Sequence, residues 1–368
     1  MFFSQRAKGK LILMLEVQSS MVRGSIVWVI PENEPEVIFS DALAIPHKQN
    51  VDSSYVVKVT MHALTDVVSS IERKLYSLAK DAGSEGMPHK VSQVHYILSS
   101  PWVVSQARTV VASYDKPQTI TAEKLNTILE AERNKIRSGE HGELTAIEEK
   151  VFDVRLNGYS VTSWKGKEAN HLEVSYALSL GSAENVRRLR GACERIVGEK
   201  SIFFHSSLLL QYIGLKTVEV KHPNHYLLLH VHGELTDLFV VEHGSCVFFG
   251  IYPVGVSTIV RKIAKATNTE QQTADSLLSL YLGNKLDPRN VEAVTKVMND
   301  MSAAWVAEFE KLFKGNMLAS KLPEHVVFVA RTHEDFFVRS YRMAHPTAKI
   351  QRLPIDQGLY ARAICDIM

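Results

Sequence analysis

One repeat constrains this chain more than any other feature. Residues 13–29, LMLEVQSSMVRGSIVWV, lie beside residues 227–243, LLLHVHGELTDLFVVEH, with Glu16 opposite His230 and Arg23 opposite Asp237. Each segment reads as strand, tight turn, strand. A single duplication over so long a separation argues for two related lobes rather than a solenoid, which stacks many short repeats. The cleft between such lobes is the default ligand site. Backbone N–H groups in the two facing turns can form a nest for an anion.

The bulk numbers agree with this organisation. A chain of 368 residues is long enough for two or three domains with separate cores. With 45% hydrophobic and 22% charged residues it has neither the low hydrophobicity nor the charge excess of a disordered chain. A formal net charge of +2 gives no reason to expect nucleic acid, and the run Arg187, Arg188, Arg190 and Arg195 reads as the solvated side of a helix. Three cysteines, Cys193, Cys246 and Cys365, lie far apart without metal or CxxC spacing, which fits a reducing compartment. Residues 1–10 lack the apolar stretch of a signal peptide, and no window approaches the roughly 18 apolar residues of a membrane-crossing helix.

Along the chain, strands are expected at Leu11–Val17, Gly24–Ile30 and Glu36–Leu43, with the turn PENEP between the last two. A helix carrying Leu64, Val67, Val68, Ile71, Leu75 and Leu78 follows, stopped at Gly83, Gly86 and Pro88, before a strand Val91–Leu98. An α+β insert comes next: a strand Gln106–Ala112, a helix Thr121–Ile136, and strands Glu148–Asn157, Tyr159–Trp164 and His171–Leu180, with a mobile loop at Ser138–Glu143. A helix from Ser182, a strand Ile202–Phe204 and a short helical segment lead into the second meander, Tyr226–His232, Thr236–Glu242 and Ser245–Tyr252. Helices then dominate: Val256–Ala266; one whose Thr269 and Gln272 form a capping box; and one from Asp287-Pro288 with a core stripe Val291, Val294, Met298, Met301, Trp305, Phe309 and Leu312. A strand Val326–Ala330, a short helix, a strand-like KIQRLP and the tail GLYARAICDIM close the chain.

In order along nearly its whole length the chain resembles the actin-like ATPase superfamily, in the branch that holds the cell-division protein FtsA and the pilus-assembly protein PilM. FFSQRAKGKLILMLEVQSSMVRGSIV resembles the family's basic leader and D-I-G-S-S-S-V-K phosphate hairpin. VHYILSSPWVVSQAR resembles the end of the first lobe core, VFDVRLNGYSV a strand pair of the branch's inserted subdomain, and HVHGELTDLFVVEHGSCVFFGIYPVG the D-I-G-G-G-T-T-D hairpin with its I-P-V-G-G turn. The resemblance implies a two-lobed actin-like, ribonuclease H-like duplicated α/β fold. Residues 1–105 would form the first lobe core, continued by about 182–222; 106–181 the inserted α+β subdomain; 223–345 the second lobe; and 346–368 the C-terminal strand and tail.

The resemblance also implies ATP and Mg²⁺ as cofactors, at Glu16, Ser19, Ser20, Arg23, Gly233, Thr236, Asp237 and Gly255. The departures from the pattern fall at this site. Glu16 replaces an aspartate, Gln18 a glycine, and His230, His232 and Glu234 an aspartate and two glycines. The adenosine-side A-E-x-x-K motif becomes Ala274-Asp275-Ser276-Leu277-Leu278, and the glycine pair that beds the base becomes Arg331-Thr332-His333. Hydrolysis needs carboxylates on Mg²⁺ and amides at the developing charge, so turnover is expected to be weak or lost, with no catalytic residue to name.

Three rival readings stay open. His230 and His232 share a strand face and could hold a metal with His225, His205 or Glu234. Thr236 and Asp237, like Ser19 and Ser20, could simply satisfy local backbone donors. A working ATPase that forms filaments, as in the FtsA type, is the functional alternative. The expectation the resemblance favours is a cytoplasmic adaptor, peripheral to the inner membrane and part of a pilus or secretion machine. It would bind a short cytoplasmic peptide of an inner-membrane protein through the inserted subdomain, with no nucleic acid, no span of its own, and self-association left open.

Overall fold

The computed structural model describes residues 9–45, 53–81, 90–137, 143–217, 224–315, 322–353 and 357–368. The stop signals at Gly83, Gly86 and Pro88, and most of the expected mobile loop at 138–143, lie outside the described residues.

The elements run, in chain order, β1 (Lys10–Val17), β2 (Met21–Val29), β3 (Glu36–Ala44), α1 (Ser53–Asp81), β4 (Val91–Leu98), β5 (Val103–Thr119), α2 (Ala122–Arg137), β6 (Leu144–Leu156), β7 (Tyr159–Ser160) and β8 (Glu168–Ser182). After these come α3 (Ala183–Cys193), β9 (Ile202–Ser206), α4 (Ser207–Thr217), β10 (Tyr226–Val231), β11 (Thr236–Glu242), β12 (Ser245–Tyr252), α5 (Val256–Thr267) and α6 (Gln271–Leu282). The chain finishes with α7 (Pro288–Gly315), β13 (His325–Ala330), α8 (Glu334–Ala344), β14 (Lys349–Arg352) and α9 (Gln357–Ile367).

The duplication seen in the sequence is a duplication of topology. One five-stranded sheet has the order β3-β2-β1-β4-β9 and the other β12-β11-β10-β13-β14. In each, an antiparallel meander continues into two parallel strands, through β1–β4–β9 and β10–β13–β14. The registers match as well: Glu16 pairs with Arg23, and His230 with Asp237.

The central strands β1 and β10 are apolar at nearly every position because both their faces are covered. On β1, Leu11, Leu13, Leu15 and Val17 face a core shared with α1 and α3, while Ile12 and Met14 face the other way. On β10, Leu227, Leu229 and Val231 face the helices α5 to α8, while Tyr226 and Leu228 face inward. The two inward faces share a third core, built on α4 and α9, which therefore sit between the sheets. Side chains alternate along a strand, so Glu16 belongs to the inward set of β1 and His230 to that of β10. This parity aims the polar residues of both hairpins into the space between the lobes.

The third sheet, β5-β8-β6-β7, carries α2 and has its own core around Tyr176, Leu172 and Leu178. β5 is much longer than expected. It pairs with β8 as far as Thr119, and a bulge between Ser113 and Gln118 absorbs the strand-breaking Asp115-Lys116-Pro117. β7 is much shorter, because only Tyr159 and Ser160 reach partners on β6.

Two expectations about the helices need correction. The N-cap of α6 is Glu270, without a side-chain cap bond, because Thr269 is taken by the end of α5: its N–H donates to Ala264 and its hydroxyl bonds Thr267 at 2.8 Å. Val291 is 40% exposed, so the core stripe of α7 begins at Val294. The tail carries no structural assignment from the sequence alone. It forms α9, whose Leu359, Tyr360, Ala361, Ala363 and Ile364 are buried in the central core. Among the described residues, no helix is long and apolar enough to cross a membrane.

Candidate functional site

The two hairpins meet at their turns. The backbone N–H of Glu234 donates to the Ser19 hydroxyl at 3.2 Å, and a side-chain carbon on Gly233 would overlap Ser20. At the start of α5, where first-turn N–H groups would face an anion, Val256 donates to His232 O at 3.0 Å and Ser257 to Gly233 O at 2.6 Å. Gly255 is packed against the same two carbonyls. The N–H groups of Glu234, Val256 and Ser257 are thus satisfied within the protein.

Glu16 is fully buried, and both its carboxylate oxygens are engaged. Gln18 Nε2 donates to Oε1 at 2.6 Å; Gln357 Nε2, from α9, donates to Oε2 at 3.2 Å; and Arg331, from the loop after β13, forms an ion pair with the same oxygen. Burial alone would raise the Glu16 pKa, but the charge and hydrogen bond of Arg331, with Arg23 and Gln357, hold it below the ordinary value. Gln357 is fixed in turn by the Ser25 hydroxyl at 3.0 Å.

Asp237 is equally enclosed. Its Oδ2 accepts from His232 Nε2 at 2.9 Å and from the Ser100 N–H at 3.3 Å, which places the Ser99-Ser100 corner of the first lobe on the second hairpin. His230 bonds Gln211 of α4 at 2.8 Å, and Gln211 donates onward to the Tyr360 hydroxyl at 3.0 Å. Complete burial, then the neighbouring charges of His232 and Arg331, push the His230 pKa well down, so its imidazole is neutral.

Beside these contacts a cleft of about 730 Å³ remains, lined by both hairpins, α5, α6 and the loop after β13. Ser20, Arg23 and Gly233 line it, and Arg331, Thr332 and Asp275 stand where the resemblance places the base and adenosine contacts. Asp275 is paired with His333 at 2.8 Å. Glu16, Ser19 and Asp237 lie deeper, in the contact between the hairpins. Thr236 is spent on the second lobe's core: its hydroxyl donates to Val254 O at 2.7 Å and accepts from the Trp305 indole at 3.0 Å. Glu234 is held by Arg261 of α5, with Nη2 to Oε2 at 2.6 Å, so its charge is compensated.

Magnesium requires near-octahedral oxygen ligation and retains several waters. Glu16 has no free oxygen, and Asp237 is 1% exposed and paired. The residues present do not fit a magnesium nucleotide. The rival metal reading also loses its ligands: His225 faces Glu242 at 3.8 Å, and His205 bonds His95 and Glu148 at the foot of the inserted sheet. Among the described residues no three such side chains come together for a metal.

Arg331, Gln357, Gln211 and Tyr360 are the residues the sequence reading missed as parts of this site. Arg331 was legible only as a lost glycine. For α9, the helical spacing of Leu359, Tyr360, Ala363 and Ile364 was the available signal.

No family model matches the chain, and no curated protein matches it. Solved structures do. A structure titled PilM-PilN type IV pilus biogenesis complex is 13% identical over 97% of this chain and 90% of that one, with a TM-score of 0.59. A Bacteroides thetaiotaomicron protein described as having an actin-like ATPase fold and unknown function is 8% identical over 99% of both chains, with a TM-score of 0.42. The ethanolamine utilization protein EutJ of Carboxydothermus hydrogenoformans is 11% identical over 95% of this chain and 87% of that one, with a TM-score of 0.45. At such identities the likeness is one of fold: the chain has the two-lobed actin-like fold.

Proposed function

We propose that this protein is an actin-like adaptor in an inner-membrane assembly of the pilus or secretion kind, a pseudo-ATPase that works at the cytoplasmic face. The observation that carries this reading is the Arg331–Glu16 pair. A cation supplied by the protein occupies the carboxylate that would otherwise serve Mg²⁺, so closure of the cleft needs no nucleotide. Support for the assembly comes from a fold match to a chain whose title pairs it with a partner, PilN, and which spans nearly all of both chains.

The partner would be a short cytoplasmic peptide of an inner-membrane protein, taken by the inserted subdomain at 106–181. Among the described residues its sheet ends in β5 and β7, and exposes Val111 on β5 and Tyr159 on β7. Open strand edges are ready templates for an added strand.

The test is a hydrolysis assay with Mg-ATP, alongside a binding titration with candidate leader peptides encoded near the gene. The reading expects no turnover above the blank and saturable binding of one peptide, lost when residues 106–181 are deleted. Magnesium-dependent hydrolysis would instead support the filament-forming ATPase, the reading favoured by a cleft that retains about 730 Å³.

A further inference from the structure

The first sheet carries a second groove on its α1 side, the side turned away from the other lobe. α1 lies over β2: a side-chain carbon on Gly24 would stand 2.7 Å from Val67 and 3.0 Å from Ile71. β3, the next strand out, is left as a shelf, and among the described residues no strand pairs with its outer side. Directly opposed residues of an antiparallel pair point to the same face. Asp41, opposite Gly24, and Leu43, opposite Val22, therefore face α1. With the helix they form a trough of about 850 Å³.

The helix wall of the trough is Asp66, Ser69, Ser70, Arg73 and Tyr76, whose spacing of three or four puts them on one face of α1. The serines are too short to fill the gap between helix and strand, and Ser69 spends its hydroxyl on Thr65 O at 2.8 Å. The strand wall lacks the devices that usually blunt an edge. From Ser40 to Ala44, β3 has neither proline nor lysine, small residues alternate along it, and its sole charge is Asp41. An edge strand beside such a trough suits strand addition, in which main-chain hydrogen bonds run along the edge and alternate side chains of the guest enter pockets.

The lining also sets the chemistry of the guest. Glu72 is satisfied by Arg195, with contacts of 2.8 Å to each of its oxygens. Asp41 and Asp66 form no ion pair among the described residues, so two carboxylates stand against the single guanidinium of Arg73. Leu43 is 36% exposed and Tyr76 68%. Asp41 and Leu43 are two positions apart, which is the period of a strand. A guest strand that satisfies both carries a basic residue two positions from an apolar one. A single carboxylate on an otherwise open edge turns away acidic strands and admits basic ones.

We propose that the trough between β3 and α1 takes an extended segment of a partner protein as an added strand. A lysine or arginine of that segment meets Asp41 and Asp66, and an apolar residue two positions away packs on Leu43 and Tyr76. The inference is independent of the readings given to the cleft and to the inserted subdomain.

The experiment selects random peptides displayed on phage against the full-length protein, then measures each recovered peptide by fluorescence anisotropy. The expected peptides carry a lysine or arginine two positions from an apolar residue. Asp41→Lys should weaken them at least tenfold, and Asp41→Glu should leave them within threefold. Methylation of alternate backbone amides should abolish binding, because an added strand needs those donors. Bound peptide should slow amide exchange across residues 36–44. Circular dichroism and melting temperature check that the variants remain folded. Should Asp41→Lys not fold, Tyr76→Ser, at an exposed position, takes its place and should weaken binding at least threefold. Recovery of no peptide, or of peptides that bind the variant as tightly as the native protein, overturns the proposal. Among the latter, peptides lost on Val111→Glu belong to the inserted sheet and leave the reading of that subdomain intact. A native dimer that Asp41→Lys separates in sedimentation overturns it too, by making the occupant a second copy of this chain.

Discussion

Arg331 and Glu16 form an ion pair between residues 315 positions apart in the chain, one following the fourth strand of the second sheet and the other at the end of the central strand of the first. Glu16 is fully buried and Arg331 is mostly so, with 17% of its side chain exposed, so the carboxylate above all is costly without its partner. Removing one partner of a buried pair costs about 3–5 kcal/mol, whereas replacing both with uncharged groups of similar size costs much less. Arg331→Ala should lower stability by that amount in urea denaturation. Adding Glu16→Gln to it should recover a large part, because no uncompensated carboxylate is left. Equal losses in the single and double variants would mean that the pair is not coupled.

The hairpins touch through Gly233 and Ser20. Gly233→Ala should cost about 1–3 kcal/mol, the usual penalty for forcing atoms into a packed site. Ser20→Gly in the same chain removes the overlapping Cβ and hydroxyl and should restore most of the loss, with Ser257 Oγ, 2.9 Å from the added carbon, accounting for the remainder. Melting temperatures of the three variants check this.

His95 stacks between Phe203 and His205 and bonds His205 at 3.0 Å. Burial, then the charges of His205 and Lys10, lower its pKa from 6.5 to about 3. The folded pKa lies below the unfolded one, so between these values the unfolded chain binds the extra proton. The contribution is therefore present above pH 6.5 and lost as pH falls from 6.5 towards about 3, with a limiting slope of about 1.4 kcal/mol per pH unit. His95→Gln, which can still hydrogen-bond His205, should flatten that part of the stability profile measured by denaturant titration across the window.

α9 fills the layer between the sheets and supplies Gln357 to Glu16. A chain ending after Leu353 would expose the inner faces of both sheets and release one donor from the buried carboxylate. It is expected to be largely insoluble, and any soluble fraction should show rapid amide exchange in β1 and β10 in mass spectrometry. Native-like protection in the shortened chain would show that α9 is not part of the cooperative core.

Much of this architecture was legible in the sequence, and one comparison shows why. Strands β1 and β10 are apolar runs bounded by turn residues, and the period of the pattern follows from the pleat itself. The repeat was read by laying Glu16 beside His230 and Arg23 beside Asp237, and the registers agree with that equivalence, pairing Glu16 with Arg23 in one hairpin and His230 with Asp237 in the other. Local rules failed where a neighbour in space overrode them. Asp115-Lys116-Pro117 argues against a strand, yet a bulge carries β5 past it because β8 runs alongside. Thr269 has the residue type of a cap, but the end of α5 claims it first.

By itself the sequence determined two related lobes, an α+β segment interrupting the first, and polar residues of both hairpins on one strand parity, because each follows from patterns a few residues long. The tertiary structure alone decided what those polar residues do. Whether Glu16 faces a hydrated metal or Arg331, whether Asp237 is free or holds the Ser100 N–H, and whether the last helix is a tail or the filling between the sheets depend on groups more than a hundred positions apart. Charge compensation is set by distance in space, and a linear sequence contains no record of it until the chain has closed on itself.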